Sequence, residues 1–181
     1  MSKTYTLEVA GLTRELPICK TSDGIQFAAF IMLSDVEMTV RSAEELLKIC
    51  PEFEIIVTCE TKGIPLAYEM ARQSGKKYIT GRKSKKFYMT DPIEIKVKSI
   101  TTEKVQTLYL SQEDIGEMKG KKVLIVDDVI STGESLLAIE KLVEEAGGVT
   151  VGKAAVLAEG AAADRDDIIF LGKLPLFPKA E

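Results

Sequence analysis

Residues 123–135 read "VLIVDDVISTGES" and bring a buried strand, two acids and a small polar turn into immediate succession. Four aliphatic residues in a row are typical of a strand that is covered on both faces. Asp127 and Asp128 follow them directly. From Gly133 onward, apolar residues recur at helical spacing until a glycine pair at positions 147–148. The stretch therefore predicts a strand, a turn and a helix.

The same pattern occurs earlier in the chain. Residues 54–59, "EIIVTC", predict a buried strand, and residues 64–75, "IPLAYEMARQSG", predict a helix with proline in its first turn and Gly75 as its cap. The segments "KYITG" (77–81) and "VTVGKAAVLAE" (149–159) read as further strands. Strands that alternate with helices predict the α/β class, with a central parallel sheet flanked by helices.

The remaining segments predict accessories to one domain that spans residues 1–181. The first segment, about residues 1–40, is rich in β-forming residues and predicts a small hood and entry segment over the sheet. The second segment, about residues 81–110, begins with the basic stretch "GRKSKKF" and continues into alternating apolar and charged residues from Ile93 onward. This second segment predicts a flexible basic loop and a half-exposed β-ribbon.

Composition excludes several classes of protein. The 181 residues carry a formal charge of -4, contain no histidine and have three scattered cysteines. Catalytic triads with histidine and His-ligated metals are therefore excluded, and neither a disulfide framework nor a zinc site is expected. No signal peptide, membrane span or general nucleic-acid-binding character is indicated. We expect a cytoplasmic protein that does not bind a membrane.

The two acids and the turn after them define a candidate site. Ligands of parallel α/β sheets bind at the carboxyl ends of the strands, and adjacent carboxylates there can accept hydrogen bonds from sugar hydroxyls or help to hold Mg²⁺. Hydroxyls of Ser131, Thr132 and Ser135 beside a helix N-terminus suit a phosphate group. Two alternatives stay open on these residues alone: a capped helix after a core strand, and the Asp-ended strand of response regulators or aspartyl-phosphate phosphatases.

Over its whole length "VLIVDDVISTGES" resembles the PRPP-binding signature of the type I phosphoribosyltransferases. The resemblance implies that Asp127 and Asp128 contact the ribose hydroxyls of phosphoribosyl pyrophosphate (PRPP). It also implies that the next loop binds the 5-phosphate through Ser131, Thr132, Gly133, Glu134 and Ser135.

Two further segments resemble the purine branch of this family. "CETKGIP" is similar to its pyrophosphate loop and implies pyrophosphate binding by Glu60, Thr61, Lys62 and Gly63. "GRKSKKF" is similar to its basic stretch, which implies that Arg82 and Lys83 bind pyrophosphate and that Lys86 is catalytic together with Asp127 and Asp128. In that branch the basic segment reaches a neighbouring subunit, so a homodimer is expected.

The resemblance also implies Mg²⁺ as cofactor, held mainly by substrate and water, and packing of Val129 on the purine base. Two features bear on which base is used. Thr101 stands where adenine enzymes commonly carry a catalytic glutamate, with Glu103 two positions away, and Glu159-Gly160 replaces the Glu-Lys of xanthine enzymes. Adenine and xanthine are the expected acceptors.

Three hypotheses follow. The first is a purine salvage enzyme that makes a nucleoside monophosphate and pyrophosphate from PRPP and a free base. The second is a non-catalytic module that senses PRPP or purine nucleotides, related to the effector domain of the purine repressor, although we expect no DNA-binding domain. The third is a degenerate family member that keeps only the fold.

Overall fold

A computed structural model of the protein describes residues 3–21, 24–98 and 105–177. The strands and helices of these residues, in chain order, are β1 (Thr4–Val9), β2 (Leu12–Lys20), β3 (Gln26–Ala28), α1 (Val36–Ile49), β4 (Ile55–Cys59), α2 (Ile64–Ser74), β5 (Lys77–Gly81), β6 (Ile93–Lys98), β7 (Val105–Leu110), α3 (Gln112–Met118), β8 (Lys122–Ile130), α4 (Glu134–Glu145), β9 (Val149–Glu159), β10 (Ile169–Leu174) and β11 (Leu176–Phe177). A short 3-10 helix, Gly160–Asp164, follows β9.

A five-stranded sheet with the order β10-β9-β8-β4-β5 forms the centre of the protein. Each of its four strand pairings is parallel. All five residues of β4 are buried, as its unbroken apolar sequence predicts. One apolar core, which includes α4, lies on one face of the sheet, and a second core, which includes α1 and α2, lies on the other. The predicted α/β class with a central parallel sheet is confirmed.

Helix α1 was not anticipated from the sequence, although its signals are present. The Asp35 carboxylate caps the helix by accepting a hydrogen bond of 3.1 Å from the backbone N–H of Met38. Met38, Ala43 and Leu46 are fully buried on one helix face. Asp35 also accepts a hydrogen bond of 2.7 Å from Arg14 Nε, which ties the helix start to strand β2. This cap therefore joins the N-terminal strands to the central domain.

The N-terminal strands belong to a separate sheet with the order β1-β2-β3-β11. Its last strand comes from the other end of the described chain, because Leu176 pairs with Phe27 and Phe177 with Gln26. The rings of Tyr5 and Phe177 pack edge to face with their centroids 5.9 Å apart. The hood is thus assembled from both ends of the chain, which the local sequence pattern did not indicate.

Strands β6 and β7 form the predicted antiparallel ribbon, with Ile93 opposite Leu110. Ile95 is buried while Glu94 and Lys96 are exposed, as the alternation of apolar and charged residues predicts. Backbone hydrogen bonds in both directions between Arg82 and Tyr109, 3.0 and 2.8 Å long, attach the basic segment to the ribbon. Among the helices of the described residues, none is both long and apolar enough to cross a membrane.

Candidate active site at the carboxyl edge of the sheet

Asp127 and Asp128 lie near the carboxyl end of β8, but the strand runs two residues farther than the sequence suggests. Its pairing with β4 stops at Ile125, whereas its pairing with β9 continues to Ile130. The two acids therefore lie where β8 has separated from β4 while β9 still holds it. The space beside the acids on the side of β4 is taken by the loop that follows β4, since a methyl group on Gly63 would lie 3.2 Å from Asp127 Cα.

Asp128 is buried, Asp127 is half buried, and few cations of the described residues lie near the pair. Asp128 is 2% exposed, and its Oδ2 accepts no hydrogen bond from any described residue. The nearest cation is Lys62, whose Nζ lies 3.7 Å from that oxygen. Burial, together with the neighbouring Asp128 charge, raises the pKa of Asp127 to about 7. A pair in this state favours ligands that supply hydroxyl donors or a cation.

The turn after the acids forms a small hollow at the start of α4. Gly133 adopts a left-handed conformation with φ of 79° directly before the helix. The hollow has a volume of about 60 Å³ and is lined by Asp127, Val129, Ile130, Ser131, Thr132, Gly133, Ser135 and Leu136. Glu134 is the first residue of α4. Hydroxyls, free backbone N–H groups and the positive end of the helix dipole suit this hollow to one phosphate group.

The predicted pyrophosphate loop lies against the acid pair. It follows β4, includes a cis peptide bond between Glu60 and Thr61, and ends at Gly63, the residue before α2. A methyl group placed on Gly63 would collide with Thr58 Oγ1 and would lie 2.9 Å from Asp127 Oδ1. Glycine is thus required by the close approach, which brings the loop after β4 directly beside Asp127.

Glu60 links this loop to the basic segment. Its carboxylate accepts hydrogen bonds from Arg82 Nη1 at 3.1 Å and from the backbone N–H of Lys83 at 2.9 Å. Lys86 Nζ lies 3.5 Å from the same carboxylate. Burial alone would raise the pKa of Glu60, but these hydrogen bonds and charges leave it below the usual value. The carboxylate therefore positions cations, a role that was not foreseen when Glu60 was grouped with the pyrophosphate-binding residues.

Of the residues expected to lie near the purine base, the structure describes Val129. Val129 is half buried, pairs with Leu157 of β9 and packs against the core on the hood side of the sheet. Thr101 and Glu103 lie outside the described residues. The purine contact of Val129 stays a prediction.

Two residues near the site were not predicted from sequence as site residues. Glu159, the last residue of β9, is half buried, and burial raises the pKa of its carboxyl, an effect that the charge of Lys62 partly offsets. Arg165 lies against Gly133, since a methyl group on that glycine would be 2.8 Å from Arg165 Nη1. No sequence signal pointed to this contact, because it joins residues that only the fold brings together.

Comparisons with known proteins identify the family of this chain. The family model for the phosphoribosyl transferase domain matches residues 42–173. The chain therefore belongs to the phosphoribosyltransferase family, and the enzyme class and fold inferred from its sequence are confirmed. The matched region includes every candidate site residue named above.

Its curated relatives carry the names of purine phosphoribosyltransferases. Adenine phosphoribosyltransferase of Rhodococcus jostii is 34% identical over 155 residues, which cover 84% of this chain and 83% of the relative. Xanthine phosphoribosyltransferase of an Exiguobacterium species is 30% identical over 122 residues, 67% of this chain and 62% of the relative. The crystal structure of adenine phosphoribosyltransferase from Thermoanaerobacter pseudethanolicus has a TM-score of 0.73 at 24% identity, with 87% of this chain and 95% of that one covered, and supports the fold.

Proposed function

We propose that this protein is a purine salvage enzyme that transfers 5-phosphoribosyl from PRPP to a free purine base. The products would be a nucleoside monophosphate and pyrophosphate. The observation that carries the proposal is the contact of Gly63 with Asp127, which places the predicted pyrophosphate loop beside the predicted ribose-binding acids. A sugar that carries a phosphate at one end and a pyrophosphate at the other fits two adjacent anion sites with acids between them.

Each part of the site then has a role. Asp127 and Asp128 accept hydrogen bonds from the ribose hydroxyls and favour the positive charge that develops on the sugar as pyrophosphate leaves. Residues 131–135 hold the 5-phosphate, and residues 60–63 with Arg82 and Lys83 hold the pyrophosphate. Lys86 is proposed to neutralise the leaving pyrophosphate, since Glu60 already holds its ammonium beside that loop. A histidine is not needed, because pyrophosphate leaves as a stable anion.

The donor set also fits Mg²⁺ bound together with substrate. Among the described residues, no group of three or more His, Cys, Asp or Glu side chains could hold a metal. Mg²⁺ keeps several waters and is commonly held by one or two carboxylates plus substrate phosphates, and Asp127 and Asp128 can supply the carboxylates. The ion would supply charge neutralisation for the pyrophosphate group.

Adenine is the acceptor that we test first, with xanthine second. The relative that covers the larger share of the chain is named for adenine. The lysine expected after the last core strand of xanthine enzymes is replaced by Gly160. Nothing in the comparisons favours the regulatory alternative.

A base panel tests this function. PRPP and Mg²⁺ are supplied with adenine, xanthine, hypoxanthine or guanine, and the nucleotide and pyrophosphate formed are measured. We expect turnover with one base in preference to the others. Binding of PRPP by calorimetry without turnover of any base would refute the enzyme and support a sensor.

We also propose a cytoplasmic homodimer. Phe87 in the basic segment is fully exposed, and Tyr88 beside it is 70% exposed, which is costly for apolar side chains without a partner. Analytical ultracentrifugation of the wild type and of Phe87→Asp tests the assembly. A dimer that dissociates in the variant is expected, and a monomeric wild type would contradict the proposal.

A further inference from the structure

Arg165 lies on the outer side of the predicted 5-phosphate loop. Its Nη1 would be 2.8 Å from a methyl group on Gly133, and apart from the neighbours of Gly133 in the chain no other described group comes within 4 Å of that position. Arg165 follows the 3-10 helix after β9, so its position depends on a connection distant in sequence from the loop. The guanidinium is thus the group that limits the space behind Gly133.

A set of ion pairs holds this guanidinium in one orientation. Arg165 Nε and Nη2 each donate a hydrogen bond of 2.7 Å to the carboxylate of Asp167. Asp167 also accepts a 2.6 Å hydrogen bond from Lys153, which in turn donates to Glu140 of α4 at 2.9 Å. The forked pairing fixes the plane of the guanidinium and leaves Nη1 as the nitrogen that faces Gly133.

The arrangement suits an anion at the loop. The two cations and two anions of this set cancel in total charge, so its effect on the loop depends on which group is nearest. The nearest group is the cationic guanidinium, whereas Asp167 occupies its far edge. The predicted cradle itself supplies neutral hydroxyls and backbone N–H groups, and Glu134 adds a negative charge to the first turn of α4. Arg165 does not line the hollow itself, but its guanidinium is the cation that lies against Gly133, one of the lining residues.

We propose that Arg165 is a positioning residue for the 5-phosphate of PRPP, oriented by Asp167 and acting across Gly133. The proposal rests on the assignment of residues 131–135 as the 5-phosphate cradle. It implies that PRPP and ribose 5-phosphate depend on Arg165, while pyrophosphate and the purine base do not.

The test compares Arg165→Gln with the wild type in KM values for PRPP and the base, and in inhibition constants for ribose 5-phosphate and pyrophosphate. Because the guanidinium is about one-third exposed, solvent reduces its electrostatic effect. We therefore expect the binding of PRPP and of ribose 5-phosphate to weaken by roughly tenfold. Values for the base and pyrophosphate should stay within about twofold of wild type. Arg165→Lys should restore only part of the affinity, because an ammonium cannot form the fork with Asp167.

Lys173→Gln is the matched control, since it removes a cation that is 64% exposed and pairs loosely with Asp164. The same KM for PRPP in Arg165→Gln and in this control would overturn the proposal. Equal weakening of ribose 5-phosphate and pyrophosphate would also overturn it, because that result indicates a general structural defect. Thr132→Val probes the cradle separately: if it leaves calorimetric ribose 5-phosphate binding unchanged, the cradle assignment itself is wrong.

Discussion

Alanine at position 63 should disrupt the contact between the proposed pyrophosphate loop and Asp127. Gly63 has φ of -72°, so alanine would not strain the backbone, and the effect must come from its added methyl group. That methyl group would collide with Thr58 Oγ1 and would lie 2.9 Å from Asp127 Oδ1 and 3.2 Å from Asp127 Cα. The backbone contact cannot be relieved by a side-chain rotation, so the pyrophosphate loop must move away from the acids.

The magnitude follows from the tight packing. Overpacking in a buried site costs about 2 kcal/mol. For a protein of this size such a loss lowers Tm by roughly 4–8 °C. A displacement of several tenths of an ångström between two segments that we propose bind PRPP should reduce kcat/KM for PRPP by about tenfold to a hundredfold. The variant is expected to fold and to lose activity out of proportion to its loss of stability.

Two further variants make the assay decisive. Thr58 Oγ1 has no hydrogen-bond partner among the described residues, so Thr58→Ala should be mild alone and should restore part of the activity of Gly63→Ala. Gly116→Ala in α3 is the control, because its methyl group would meet nothing within 4 Å. Differential scanning fluorimetry and steady-state kinetics give the two measurements. A Gly63→Ala variant with wild-type Tm and wild-type kcat/KM would refute the reasoning.

Three more outcomes are expected. Asp128→Asn should raise KM for PRPP by at least about tenfold without lowering Tm. The substitution removes a buried charge whose Oδ2 accepts no hydrogen bond from any described residue. Unchanged kinetics would show that this residue does not belong to the site. The pKa of Asp127 is higher in the folded protein than in the unfolded chain, so protonation of this carboxylate favours folding. The stability of the unliganded protein, measured by thermal unfolding with a metal chelator present, should therefore decrease as pH rises from about 4 through about 7. Asp127→Asn should flatten this pH dependence. Glu60→Gln should loosen the basic segment after Arg82, whose own backbone stays hydrogen-bonded to Tyr109. We expect faster tryptic cleavage at Lys83 and a several-fold lower kcat, whereas Glu94→Gln, which changes an exposed carboxylate of the ribbon, should be cleaved at the wild-type rate. Equal cleavage rates for Glu60→Gln and the wild type would contradict the linking role of Glu60.

Local sequence was sufficient for the central elements because their patterns are strong. Strands β5 and β9 have the predicted bounds, and α2 and α4 lie within the predicted segments, since β-forming residues between glycines and helical periodicity leave few alternatives. The helix α1 was missed even though Asp35 caps it. Its local signals are present, but the β-rich interpretation of residues 1 to about 40 extended across the first turn of the helix.

The sequence by itself determined the parallel sheet, the acid pair and the turn that we propose binds phosphate, because each depends on consecutive residues with a short-range physical meaning. Only the tertiary structure decided how these parts meet. The contact of Gly63 with Asp127, the hold of Glu60 on the basic segment, the return of β11 to the hood and the position of Arg165 behind Gly133 all join residues far apart in the chain. Such contacts depend on strand order and side-chain packing, which leave no periodic signal in a single sequence.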